Sequence, residues 1–73
     1  MKNLKDVIIE KGFRISWVAI QLNITRYTLY KKINGVTEFT ASEIAKLTEI
    51  LHLSNLEVKS IFFKKYSDLK SHQ

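Results

Sequence analysis

The chain has 73 residues, enough for one domain with a modest core and a stability on the order of 3–5 kcal/mol. It has no cysteine, which excludes disulfides and thiolate metal sites; with no proline and glycine only at positions 12 and 35, few breaks interrupt it, which favours helices over many short strands. The net charge is +5 and the pI near 9.6, and the excess is local: residues 11 to 37 hold Lys11, Arg14, Arg26, Lys31 and Lys32 with no acid, while the remaining segments carry seven charges of each sign and cancel. Such a field favours nucleic acid or another polyanion.

A hydrophobic content of 45% is that of a folded domain and argues against disorder. No apolar run approaches the ~18 residues of a membrane span. Residues 1 to 10 mix charges with apolar groups and lack the apolar core of a signal peptide, so no membrane role and a cytoplasmic location are expected.

The first helix is expected over residues 3 to 11, with Leu4, Val7, Ile8 and Lys11 on one stripe, Asn3 as cap and Asp6 in the first turn. Gly12 suits a left-handed stop, after which Phe13 folds back. A short second helix is expected over 15 to 22, its inward set being Val18, Ala19 and Leu22. Ala19 is small enough for a close helix crossing. Asn23 tolerates the left-handed turn that must follow, and Ile24 plugs the gap.

The third helix lies within Thr25 to Gly35. Thr25 is a good N-cap and Asn34-Gly35 a good stop. Only Leu29 and Ile33, four apart, read as buried anchors; the rest offers three cations, two tyrosines and no acid. A narrow seam with a cationic remainder suits docking on an anionic surface. Lys32 reads as a solvated charge, and Tyr30 fits packing on the body as well as contact with a ligand.

Thr40-Ala41-Ser42-Glu43 and Ser54-Asn55-Leu56-Glu57 are capping boxes that open a fourth and a fifth helix. Ile44, Leu47, Thr48, Ile50 and Leu51 give the fourth its seam. Val58, Ile61 and Phe62 face the fifth inward. Residues 1–66 are expected to form one all-helical domain of five helices, with 67–73 as a frayed polar tail.

Ala19, then Asn23 four residues on, then Ile24, then Leu29 five beyond it, resembles the helix-turn-helix of the phage repressor and Cro family. Leu4 to Gly12 is similar to that family's first helix, and Asn34-Gly35 with Glu38 to Ile44 is similar to its passage into helix four. The resemblance covers roughly residues 3 to 63. It implies an all-α, five-helix lambda-repressor-like domain whose helix-turn-helix is formed by helices 2 and 3. The function implied is sequence-specific regulation of transcription from double-stranded DNA, without enzymatic activity or cofactor, commonly as a homodimer.

In this family the third helix enters the major groove with its N-terminal residues on base edges. The positions implied here are Thr25, Arg26, Tyr27, Thr28 and, one turn later, Lys31. Arg26 has the planar fork that pairs with guanine O6 and N7. Lys31 suits guanine or phosphate, Tyr27 a phosphate or a thymine methyl, and Thr25 a phosphate beside its cap role. Asn34 resembles the family's phosphate-contacting residue after helix three.

The chain departs from the pattern in three places. Where the family favours a Thr or Ser cap followed by a bracing Gln, Arg14 and Ile15 stand; Arg14 can supply a phosphate contact but not the cap. Trp17 and Ile20 occupy commonly polar positions and, with Ile15, are expected to form an apolar outer patch on helix two. That patch is the basis of an alternative function as a protein-interaction module, unless Trp17 folds over helix one. The loop of Val36, Thr37 and Glu38 lacks the usual basic residues. Phe63 and Tyr66 lie where family dimers usually meet. No catalytic constellation is present: His52 and His72 are isolated, no metal-ligand spacing occurs, and Glu43 and Glu57 read as capping partners.

Overall fold

In the computed structural model, residues 3–63 are described, and they form five helices with no strand among them. These are α1 (Leu4–Glu10), α2 (Ile15–Gln21), α3 (Arg26–Ile33), α4 (Ala41–Leu51) and α5 (Asn55–Phe62). The expected tail, Tyr66 and His72 lie outside the described residues.

Four of the five helices start on a side-chain cap. Asn3, Thr40 and Ser54 make reciprocal capping boxes with Asp6, Glu43 and Glu57, and Thr25 caps α3 through the Thr28 N–H. Arg14 occupies the same position at α2 without a side-chain bond.

The ends of α1 to α4 share one closure. Gly12, Asn23, Gly35 and His52 have φ of 87°, 59°, 81° and 53°, in the left-handed region. Each left-handed residue bonds a carbonyl three residues back, and the next residue bonds one five back. Examples are Gly12 N–H to Ile9 O with Phe13 N–H to Ile8 O, and Asn23 N–H to Ile20 O with Ile24 N–H to Ala19 O. These paired bonds satisfy carbonyls that a helix end leaves open, and they turn the chain sharply. His52 was not legible as such a residue: glycine or asparagine normally signals the position, although histidine tolerates it better than most side chains.

The core is one cluster drawn from every helix but the last: Leu4, Val7 and Ile8 of α1, Val18 and Ala19 of α2, Leu29 of α3, Leu47 and Leu51 of α4, and Leu53 beyond it. Phe13, Leu22, Ile24, Ile33, Phe39 and the α5 residues Val58, Ile61 and Phe62 close it from outside. Phe39 meets Phe62 edge to face at 5.4 Å, tying the α3–α4 connection to α5. Burying side chains of this size stabilises by about 1.5–3 kcal/mol each.

Candidate nucleic-acid interface

The joint between α2 and α3 is set by small and left-handed residues. Ala19 is buried at the crossing, Asn23 makes the turn, and Ile24 packs partly buried against the core. Leu29 is fully buried and seats α3 on the body. This is a helix-turn-helix, with α3 as its second helix.

A second anchor holds α3 from behind. The Lys32 ammonium lies 3.0 Å from Glu43 Oε1 and donates to the Glu38 carbonyl at 2.9 Å, with the Phe39 ring beneath it. The two side chains are only 11% and 15% exposed, so Lys32 is not the solvated charge expected of it. It sits three residues after Leu29 and one before Ile33, on the inward stripe of α3, and the capping carboxylate of α4 meets it there. Burial pushes the Glu43 carboxyl up, but the Thr40 N–H and the Lys32 ammonium outweigh it, and the net shift is downward.

Other groups of this stretch are available to a ligand. Arg26 is exposed in the first turn. Tyr27 is 73% exposed, and the Lys31 ammonium lies 5.3 Å from its ring centroid, one turn along. Thr25 Oγ1 accepts the Thr28 N–H at 3.0 Å and donates to Thr28 Oγ1 at 2.9 Å. Asn34 is exposed where the helix ends. Tyr30 is half-buried, with the Lys5 ammonium of α1 5.9 Å from its ring, so it turns towards the body.

The cations of residues 11 to 37 divide by whether a carboxylate pairs with them. Lys11 lies 3.4 Å from Glu57, whose carboxyl is held below its ordinary value chiefly by the Ser54 N–H, and Lys32 is paired with Glu43. Arg14, Arg26 and Lys31 have no carboxylate partner among the described residues. Arg14 is exposed at the start of α2, whose first backbone bond runs from the Val18 N–H to the Arg14 carbonyl. The uncompensated charge of residues 11 to 37 therefore sits on these three residues of the helix-turn-helix.

The apolar patch expected on α2 is smaller than its sequence suggested. Ile15 packs against the core, because it lies four residues before Ala19 on the same inward stripe. Trp17 is 36% exposed and stacks on Phe13, with ring centroids 5.0 Å apart, so it covers the α1–α2 turn rather than entering the core. Ile20, at 72% exposure, projects outward. Phe63 is exposed at the end of α5, as is Leu56 near its start. Among the described residues no group of three or more metal-ligating side chains converges, and no helix is long and apolar enough to cross a membrane.

Two features of the site escaped the sequence. The Lys32–Glu43 pair spans eleven residues and leaves no local signal. The paired hydroxyls of Thr25 and Thr28 do have one: Thr-x-x-Thr places a second hydroxyl where a capping box has its carboxylate.

The fold and this joint define a helix-turn-helix domain. The family profile of the Cro/C1-type helix-turn-helix DNA-binding domain matches residues 3–57, and the chain belongs to that family. Comparison with curated proteins and with solved structures gave no match. The match runs from the α1 cap into the first turn of α5 and so includes every element that holds α3.

Proposed function

We propose that the chain is a sequence-specific regulator of transcription, of the repressor and Cro kind found in phages and mobile elements, that binds double-stranded DNA as a homodimer. The observation that carries this reading is the division of charge: Lys11 and Lys32 are neutralised by Glu57 and Glu43, and Arg14, Arg26 and Lys31 on the helix-turn-helix have no carboxylate partner among the described residues. Arg26, Tyr27, Thr28 and Lys31 face base edges. Arg14, Asn34 and the N–H groups at the start of α3 hold phosphates. Exposed Phe63 at the end of α5 joins the subunits of a two-fold dimer, so that two copies of α3 meet half-sites one helical turn apart.

The test is selection from a pool of genomic duplexes with the purified protein. Enrichment of a site with two-fold related halves, bound by affinity that falls steeply with added salt, is the expected result. Equal, weak retention of every duplex contradicts the reading.

A further inference from the structure

The end of α3 is built on a pair of residues that occurs nowhere else in the chain. Of the four asparagines, at positions 3, 23, 34 and 55, only Asn34 is followed by glycine; Leu4, Ile24 and Leu56 follow the others. Asn34 is exposed, and its side-chain amide has no hydrogen-bond partner among the described residues. Asn3, by contrast, is engaged, its Oδ1 accepting the Asp6 N–H at 3.0 Å. Gly35 is exposed too, at φ 81°, and a Cβ at that position would meet nothing within 4 Å. The amide nitrogen between Asn34 and Gly35 is therefore crowded neither by a side chain of its own residue nor by a neighbour.

This is the arrangement in which the backbone attacks the side chain that precedes it. The Gly35 nitrogen, after giving its proton to hydroxide, bonds to Asn34 Cγ. The Cγ–Nδ2 bond then breaks, and ammonia leaves with a proton taken from water, which restores the hydroxide. The product is a five-membered succinimide. Water opens that ring: cleavage of the new N–Cγ bond gives aspartate, and cleavage of the original peptide bond gives isoaspartate. Either route consumes one water, releases one ammonia and replaces the amide by a carboxylate. The folded closure holds the step back. Asn34 has ψ 0°, which turns the Gly35 nitrogen away from Cγ. Bringing the two together breaks the bond from the Gly35 N–H to the Lys32 carbonyl at 3.2 Å and that from the Val36 N–H to the Lys31 carbonyl at 2.9 Å. Helix ends open locally far more readily than the fold as a whole.

We propose that Asn34 is a site of spontaneous deamidation, gated by the opening of the α3 end, and that the carboxylate formed there weakens the hold on DNA; this second half rests on the DNA-binding reading put forward above. The consequence follows from position. Asn34 stands three residues after Lys31, one of the three cations with no carboxylate partner among the described residues. Opposite charges at that spacing attract. Deamidation thus gives Lys31 a competing partner and sets a negative charge where Asn34 holds a phosphate. The protein loses affinity as it ages, with water as the only co-reactant.

The full chain is incubated in mildly alkaline buffer, folded and in guanidinium chloride, and peptide mapping follows aspartate and isoaspartate at all four asparagines. In the folded chain, product is expected at residue 34 ahead of residues 3, 23 and 55, and it forms faster in denaturant. No product at residue 34 of the folded chain, or product spread evenly over the four, overturns the site; equal rates with and without denaturant overturn the gate. Competition binding to the site found by selection then compares fresh wild type, Asn34→Asp, and aged samples of wild type and of Asn34→Gln, whose longer side chain does not close the five-membered ring. Asn34→Asp is expected to bind roughly 10-fold or more weakly, the size of a lost hydrogen bond to a charged group with repulsion added. Aged wild type falls towards that value as the modified fraction grows, while Asn34→Gln keeps the affinity it starts with. Thermal melts of all samples separate these effects from loss of fold. An Asn34→Asp that binds as tightly as wild type, or a wild type and an Asn34→Gln that age alike, overturns the effect on binding. A wild type that enriches no sequence defeats the DNA-binding reading and that effect with it, whereas the chemistry at residue 34 stands or falls by the mapping alone.

Discussion

Lys32 shows how one side chain decides whether a helix is held or merely present. Its charge is spent on Glu43 and the Glu38 carbonyl, behind α3. Removing one partner of a part-buried pair leaves the other short of a hydrogen-bonding group. Lys32→Ala is therefore expected to lower unfolding free energy by about 1–3 kcal/mol in urea titrations. Its DNA affinity, measured well below the melting temperature, should change little. The same carboxylate predicts acid lability. Glu43 and Glu57 both have folded-state pKa values below their ordinary value of 4.5. The stabilisation is present in full above that value and is lost as pH falls through the depressed folded values. Melting temperature should hold from neutral pH to about 5 and then drop, and Glu43→Gln should flatten the drop. Sequence reasoning found Glu43 through its capping box, which is local. It missed Lys32 because the partner is brought in by the fold.

At the scale of the element, the helices differ in how they are closed. Two capping boxes, the caps at Asn3 and Thr25 and three of the four left-handed ends were legible, since each rests on residue types at fixed short spacing; the reciprocal bond that makes Asn3 and Asp6 a third box came from the structure. His52 was not, because the left-handed conformation there is forced by the path from α4 into Leu53 and Ser54. Glycine adopts φ near 53° without a side-chain clash, so His52→Gly is expected to stabilise the domain by roughly 0.5–1 kcal/mol in thermal or urea melts. Helix α2 is the exception at its start, where Arg14 stands in the cap position. Arg14→Ser supplies the missing cap and is expected to raise stability by about 1 kcal/mol. The same change removes one of the three unpaired cations, so it should weaken binding alike on all duplexes and reduce the salt slope by about one. A gain in stability with a loss in affinity is the signature of a residue kept for its ligand. Ile15, by contrast, packs inward although its sequence neighbours Trp17 and Ile20 are exposed, because it stands four residues before Ala19 on one stripe.

For the molecule as a whole, the fold was legible because its signals are consistent: period, caps, stops and a small residue at the helix crossing all specify the same five-helix arrangement. The direction of the charge was less legible. A count over residues 11 to 37 gives five cations. Only the fold separates the two that are paired with carboxylates from the three that are not. That separation leaves the uncompensated charge on the helix-turn-helix, and it is the basis of the proposal that α3 meets DNA.

The most direct test of that account is a full single base-pair scan of the selected site with wild type and Arg26→Ala. A guanidinium fork on guanine discriminates by about 1–3 kcal/mol, or roughly 5- to 150-fold. The account predicts that Arg26→Ala loses this discrimination at one base pair of each half-site and keeps the wild-type preferences elsewhere. Uniform weakening across all positions, or no change at any, would contradict it.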